Sequence, residues 1–115
     1  MSTDLYPNST PQIQELRKAL ASEPLRAFHE FSRQAFAEGA LSVTMKQIIA
    51  VAVAHTTQCP YCIRGHTAAA LKAGASPEQI MEAIWVAAEM RAGAAYAHST
   101  IALDVIQDFE RRRQA

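Results

Sequence analysis

Taken as apolar and polar positions alone, the chain is a succession of helical periods. Thr10-Pro11 carries a cap and first-turn signal, and Ile13, Leu16 and Leu20 follow at helical spacing. Ser22-Glu23-Pro24 restarts the chain, and Leu25, Phe28, Phe31, Ala35 and Phe36 form the stripe of a second helix, with Gly39 standing as its C-terminal glycine. Ser42 is the cap candidate of a third, whose segment Ile48-Ile49-Ala50-Val51-Ala52-Val53-Ala54 is apolar nearly all round and therefore expected to be buried on most faces. Its β-branched residues suit a strand, but the interleaved alanines and the lack of alternation favour helix. A fourth helix begins at Cys59-Pro60 and stops at Gly74. Ser76-Pro77-Glu78-Gln79 has the residues of a capping box and opens a fifth helix along Ile80, Ala83, Ile84, Ala87, Ala88 and Arg91. Gly93 either kinks that helix or divides it from a last amphipathic stretch, Tyr96 to Glu110. The pattern predicts one all-α domain of five to six helices over residues 10–115, after a polar, turn-prone and flexible segment 1–9.

Composition narrows the function classes. At 115 residues the chain has room for one core with a modest margin, and half of its residues are apolar against 19% charged. Eleven basic and eleven acidic side chains cancel, so no global field favours nucleic acid or an anionic membrane. The basic run Arg111-Arg112-Arg113 suits the negative end of a helix dipole better than a binding tail. Runs of small residues, Ala68-Ala69-Ala70 and Ala92-Gly93-Ala94-Ala95 among them, permit close helix approach, and the shortage of large core side chains leads us to expect self-association. The start of the chain has no basic and apolar leader pattern, and no apolar run nears the ~20 residues that span a bilayer. A cytoplasmic protein is expected, where a structural disulfide is unusual, so the two cysteines read as redox-active or metal-binding.

Both cysteines and two of the four histidines fall within His55-Thr-Thr-Gln-Cys59-Pro-Tyr-Cys62-Ile-Arg-Gly-His66. Cys59 sits at a helix start, where free N–H groups and the positive dipole end stabilise a thiolate and can draw a thiol pKa of ~8.5 down by several units. Cys62 lies three residues on, on the same face, within reach for a disulfide, and His66 follows one turn later, placed to move a proton. His55 ends the preceding helix and approaches from the other side. Two plainer readings stand beside the dithiol. One is a Cys2His2 zinc site, although all four ligands would come from twelve residues rather than two separated elements; the other is a pair of inert buried cysteines. The tetrapeptide Cys-Pro-Tyr-Cys alone matches glutaredoxins, whose strands are not readable here. His29 and His98 sit in ordinary helical patterns, and Trp85 with Phe28, Phe31 and Phe36 reads as packing.

Cys59-Pro-Tyr-Cys62-Ile-Arg-Gly-His66, with Ala-Val-Ala-His-Thr-Thr-Gln before it and Ser76-Pro-Glu-Gln-Ile-Met-Glu-Ala-Ile-Trp-Val-Ala-Ala after it, resembles the carboxymuconolactone decarboxylase/AhpD-like family over roughly residues 25–105. The CxxCxxxH core points to its alkylhydroperoxidase-like branch, since the decarboxylases generally lack the cysteine pair. The resemblance implies an AhpD-like helical fold assembled as trimers or hexamers. It also implies antioxidant reduction of hydroperoxides by a Cys59–Cys62 redox pair that an external dithiol or thioredoxin-like reductant resets, with no metal or bound organic cofactor. Cys62 then falls on the peroxidatic position, Cys59 on the resolving one and His66 on the proton relay, whereas the helix-start argument alone favours Cys59 as the more acidic thiol. One departure stands out. Twelve residues before the first cysteine the family usually has a glutamate, and this chain has Gln47, which can orient His66 or hold a water but cannot take a proton. Either His55 serves as base, or the chain is a weak peroxidase working mainly in dithiol–disulfide exchange; a solvent-facing Gln47 is the plain alternative. Two other functions remain open: a metal-binding or redox-sensing module using the same residues, and a decarboxylase or lyase on a small lactone acid.

Overall fold

The computed structural model describes residues 4–115, so residues 1–3 of the segment expected to be flexible lie outside the described part. Five helices follow one another: α1 (Pro11–Leu20), α2 (Ser22–Phe36), α3 (Val43–Thr57), α4 (Pro60–Lys72) and α5 (Pro77–Gln114), with no strand among the described residues. Local cap chemistry sets most starts. Thr10 Oγ1 accepts from the Ile13 N–H at 3.2 Å, Ser42 Oγ from Met45 at 3.1 Å, and Ser76 and Gln79 close the expected capping box with bonds of 3.1 and 2.9 Å.

Two helix ends differ from the sequence reading. α2 stops at Phe36, three residues before Gly39, and Gly39 does not take the left-handed conformation. The reason lies on another helix: the Lys46 ammonium donates to the Ala35 and Ala37 carbonyls at 3.0 and 2.6 Å, satisfying the end that a glycine cap would otherwise close. Gly93 does not divide α5, which runs unbroken for 38 residues, about 57 Å of helix. Its neighbours Ala92, Ala94 and Ala95 are strong helix formers, and the Glu89 carboxylate lies over the bare Cα, 3.2 Å from where a Cβ would sit. Gly74 ends α4 as expected, with φ of +102°.

The core is small. Val51 from α3, Ala70 from α4, and Ala75 and Ile80 at the entry to α5 are buried, with Ile48 and Ile84 packed against them. Thr44 Oγ1 donates to the Ala73 carbonyl at 2.6 Å, and Arg91 to the Thr56 carbonyl at 2.8 Å, tying α3 to the end of α4 and to α5. No residue of α1 or α2 is buried. The molecule measures 67 × 35 × 30 Å, and its radius of gyration of 20.8 Å far exceeds the ~13 Å of a compact chain this long.

The expectations of packing therefore hold only in part within one chain. Val51 and Ala54 are buried, but Ile49 and Val53 on the same helix are 43% and 53% exposed, so α3 is not covered on most faces. Phe28, Phe31 and Trp85 are each more than 60% exposed, because the α1–α2 hairpin stands off the body and α5 presents Trp85 outward. Arg111, Arg112 and Arg113 occupy the last turn of α5 and pair with Asp108 and Glu110 on the surface. Among the described residues no helix is long and apolar enough to cross a membrane.

Candidate active site

The turn between α3 and α4 builds the site. Gln58 adopts a left-handed conformation (φ 59°, ψ 48°), a strained choice for a non-glycine residue, and both its N–H and that of Cys59 point back to the Ala54 carbonyl. The chain reverses in two residues, α4 packs back along α3, and Cys59 lands at the N-cap of α4 with Pro60 in the first turn. Cys59 Sγ accepts the backbone N–H of Cys62 at 3.3 Å, the bond that a serine or aspartate oxygen makes at most helix starts.

That geometry makes the two thiols unlike. The Cys62 thiol donates to Cys59, and with the backbone N–H groups of Cys62 and Tyr61 it draws Cys59 below the usual thiol range, against a smaller opposing effect of burial. Cys62 is pushed up, first by making that donation, then by burial and by the charge on Cys59. The two thiols titrate as a coupled pair, with Cys59 the more acidic of the two. Both cysteines are free and half-buried.

Cys62 and His66, one turn apart on α4, face an apolar cavity of about 460 Å³ between α2, α3 and α4. Phe36, Leu41, Ile49 and Val53 line it, together with the charged Lys46. Gln47, half-buried, accepts from His66 Nδ1 through Oε1 at 2.8 Å, so the solvent-facing reading of this residue does not hold. Because an amide oxygen only accepts, Nδ1 carries the proton and Nε2 is left as the proton-accepting nitrogen. The Phe36 ring stacks on the imidazole, centroids 5.1 Å apart and planes 14° from parallel.

The structure gathers Cys59, Cys62, His66 and Gln47. It does not bring His55 to them: His55 Nδ1 donates to the Val51 carbonyl of its own helix at 2.8 Å, and the residue does not line the cavity. His29 and His98 are exposed on their helices. Among the described residues no three His, Cys, Asp or Glu side chains form a group that could hold a metal ion. Sequence reasoning missed Phe36 and Lys46, which carried no local signal. It also missed Tyr61, whose hydroxyl donates to the Pro7 carbonyl at 2.8 Å and whose ring meets Tyr6 edge-on at 6.0 Å, laying the N-terminal segment against the Cys-Pro-Tyr-Cys turn.

Fold and site together define an all-helical protein whose two free thiols stand at a helix start beside an amide-held histidine. The chain belongs to the carboxymuconolactone decarboxylase family, whose profile matches residues 22–104. Among curated proteins it is 55% identical over 104 residues to uncharacterized protein 4 in the cox locus of Paracoccus denitrificans, covering 90% of this chain and 93% of that one. A protein of Cupriavidus necator is 32% identical over 106 residues, covering 89% and 94%. Among solved structures, a protein from Methanobacterium thermoautotrophicum superposes with a TM-score of 0.69 at 32% identity, over 72% of this chain and 95% of that one. A carboxymuconolactone decarboxylase family protein from Legionella pneumophila gives 0.65 at 31% identity, over 85% and 87%.

Proposed function

We propose that the chain is a thiol-dependent oxidoreductase of the alkylhydroperoxidase type, reducing organic hydroperoxides through Cys59 and Cys62. The observation that carries this reading is the placement of Cys62 and His66 at an apolar cavity with Cys59 bonded behind them. An apolar lining suits the body of an organic hydroperoxide better than hydrogen peroxide. His66 Nε2 takes the Cys62 proton, and the resulting thiolate attacks the terminal oxygen of the hydroperoxide. The O–O bond breaks, the departing alkoxide receives the proton from His66 and leaves as an alcohol, and Cys62 becomes a sulfenic acid. Cys59, already the more acidic thiol, attacks that sulfur; the S–S bond forms and hydroxide leaves as water after protonation. An external dithiol of thioredoxin-like kind then exchanges with the disulfide, restoring both thiols and departing oxidised. A cytoplasmic setting fits two cysteines kept as free thiols.

A decarboxylase or lyase is disfavoured by the same pair of cysteines, since protonating a carbanion uses no dithiol. The test is thiol counting around one equivalent of cumene hydroperoxide. Rapid loss of two thiols per chain is expected, whereas thiols that survive the oxidant would overturn the proposal. A zinc content near one per chain after chelator-free purification would instead support the metal-binding module.

Gln47 sets the strength of the peroxidase. As an amide it fixes the imidazole without accepting a proton, which favours dithiol exchange over fast peroxide turnover. Gln47→Glu is expected to raise dithiothreitol-driven hydroperoxide consumption by about tenfold or more, within the usual reach of an added acid–base group. A Gln47→Glu protein no faster than wild type would remove Gln47 as the limiting residue.

A further inference from the structure

We infer that Phe36 and Lys46 position the His66 imidazole, so that two consecutive residues of α3, Gln47 directly and Lys46 through Phe36, hold one ring from two directions. The inference rests on the role given to His66 above. A hydrogen bond at one ring atom leaves an imidazole free to swing about that bond, and a stacked face leaves it free to turn within its plane. His66 has both restraints. Gln47 holds the edge at 2.8 Å, and Phe36 covers the face at 5.1 Å with the planes nearly parallel. Together they aim Nε2.

Phe36 can do this only if the end of α2 is held in place, and α2 contributes no buried residue that would anchor it. Lys46 supplies the hold. Its ammonium donates to the Ala35 carbonyl at 3.0 Å and the Ala37 carbonyl at 2.6 Å, the residues on either side of Phe36. Lys46 therefore acts on His66 through Phe36, while its neighbour Gln47 acts on it directly. A cation is well suited here, since it meets the carbonyls at the negative end of the α2 dipole. Phe36 of α2 and Gln47 of α3 meet the ring, which belongs to α4, and Lys46 of α3 holds Phe36 in place.

The test uses Phe36→Leu, Lys46→Met and Lys46→Arg in the full chain, with two readouts. The first is the NMR signature of the His66 ring: upfield ring-current shifts of its protons, and the nitrogen shifts that report the Nδ1–H tautomer. Lys46→Met is expected to lose most of the ring-current shift although Phe36 is still present, Phe36→Leu to mix the tautomers, and Lys46→Arg to keep both signals. The second readout is hydroperoxide turnover, where kcat should fall about tenfold in Phe36→Leu and Lys46→Met with KM nearly unchanged, and recover to within about twofold in Lys46→Arg. A Lys46→Met protein with a wild-type ring-current shift and tautomer would overturn the inference. If the wild-type chain consumes no hydroperoxide, the proposed function fails, and the NMR signature alone decides the positioning role.

Discussion

The Cys62→Ser protein should leave hydroperoxide at background levels while its helical circular dichroism stays that of the wild type. Serine fits the half-buried site and removes only the sulfur, so a folding defect is not expected. The informative comparison is with Cys59→Ser. If Cys62 attacks, Cys59→Ser still consumes one equivalent of oxidant and stops at a sulfenic acid that dimedone traps on Cys62. If the two roles were exchanged, Cys62→Ser would give that single turnover instead. The more acidic thiol is Cys59, yet Cys62 lines the cavity beside His66, so acidity and access point to different sulfurs. The pair of variants decides between them by the position of one trapped adduct.

The second large effect is expected on the exposed side of α2. Phe31 is 66% exposed in the single chain, where replacing it by glutamate would change stability by no more than about 0.5 kcal/mol. In an assembly that covers α2, the same change would bury a carboxylate at a cost of several kcal/mol. For the self-association expected from the sequence, Phe31→Glu should therefore dissociate the protein to its 12.6 kDa chain and lower Tm by more than about 10 °C. Sedimentation velocity of the wild type should give three or six chain masses. A wild-type protein that sediments as one chain would remove the assembly, and with it the reason to expect Phe28 and Phe31 to be covered.

Where the governing chemistry is local, the sequence was readable. Thr10, Ser42 and Ser76 each cap the helix assigned to them because their partner N–H lies three residues away. The Cys59-Pro60 start and the Gly74 stop are local in the same sense. The end of α2 was not readable, because its carbonyls are satisfied by a lysine nine and eleven residues downstream. Gly93 misled for the opposite reason: one weak helix former among alanines does not outweigh the run it interrupts.

The site divides along the same line. Cys59, Cys62 and His66 share one turn-and-helix segment and are visible as a spacing. Gln47 is nineteen residues from His66 and entered only through family resemblance, while the Phe36 stack had no sequence signature at all. His55 had the proximity but not the direction, its Nδ1 proton committed to the Val51 carbonyl.

In the proposed dithiol cycle, the Cys59 cap also bears on electron transfer. A thiolate at the N-cap accepts the Cys62 N–H strongly, and a sulfur tied into a disulfide accepts it less well, so α4 is better capped when the pair is reduced. If that difference approaches the ~1 kcal/mol of an ordinary cap, it raises the midpoint potential of the couple by about 20 mV. Equilibration in glutathione buffers, followed by helical circular dichroism, should show a small loss of helicity as the disulfide forms; identical spectra for the two states would uncouple the helix from the couple. The first turn of α4 then belongs to the redox chemistry as well as to the fold, tilting the pair toward giving up its disulfide to any dithiol that reaches it.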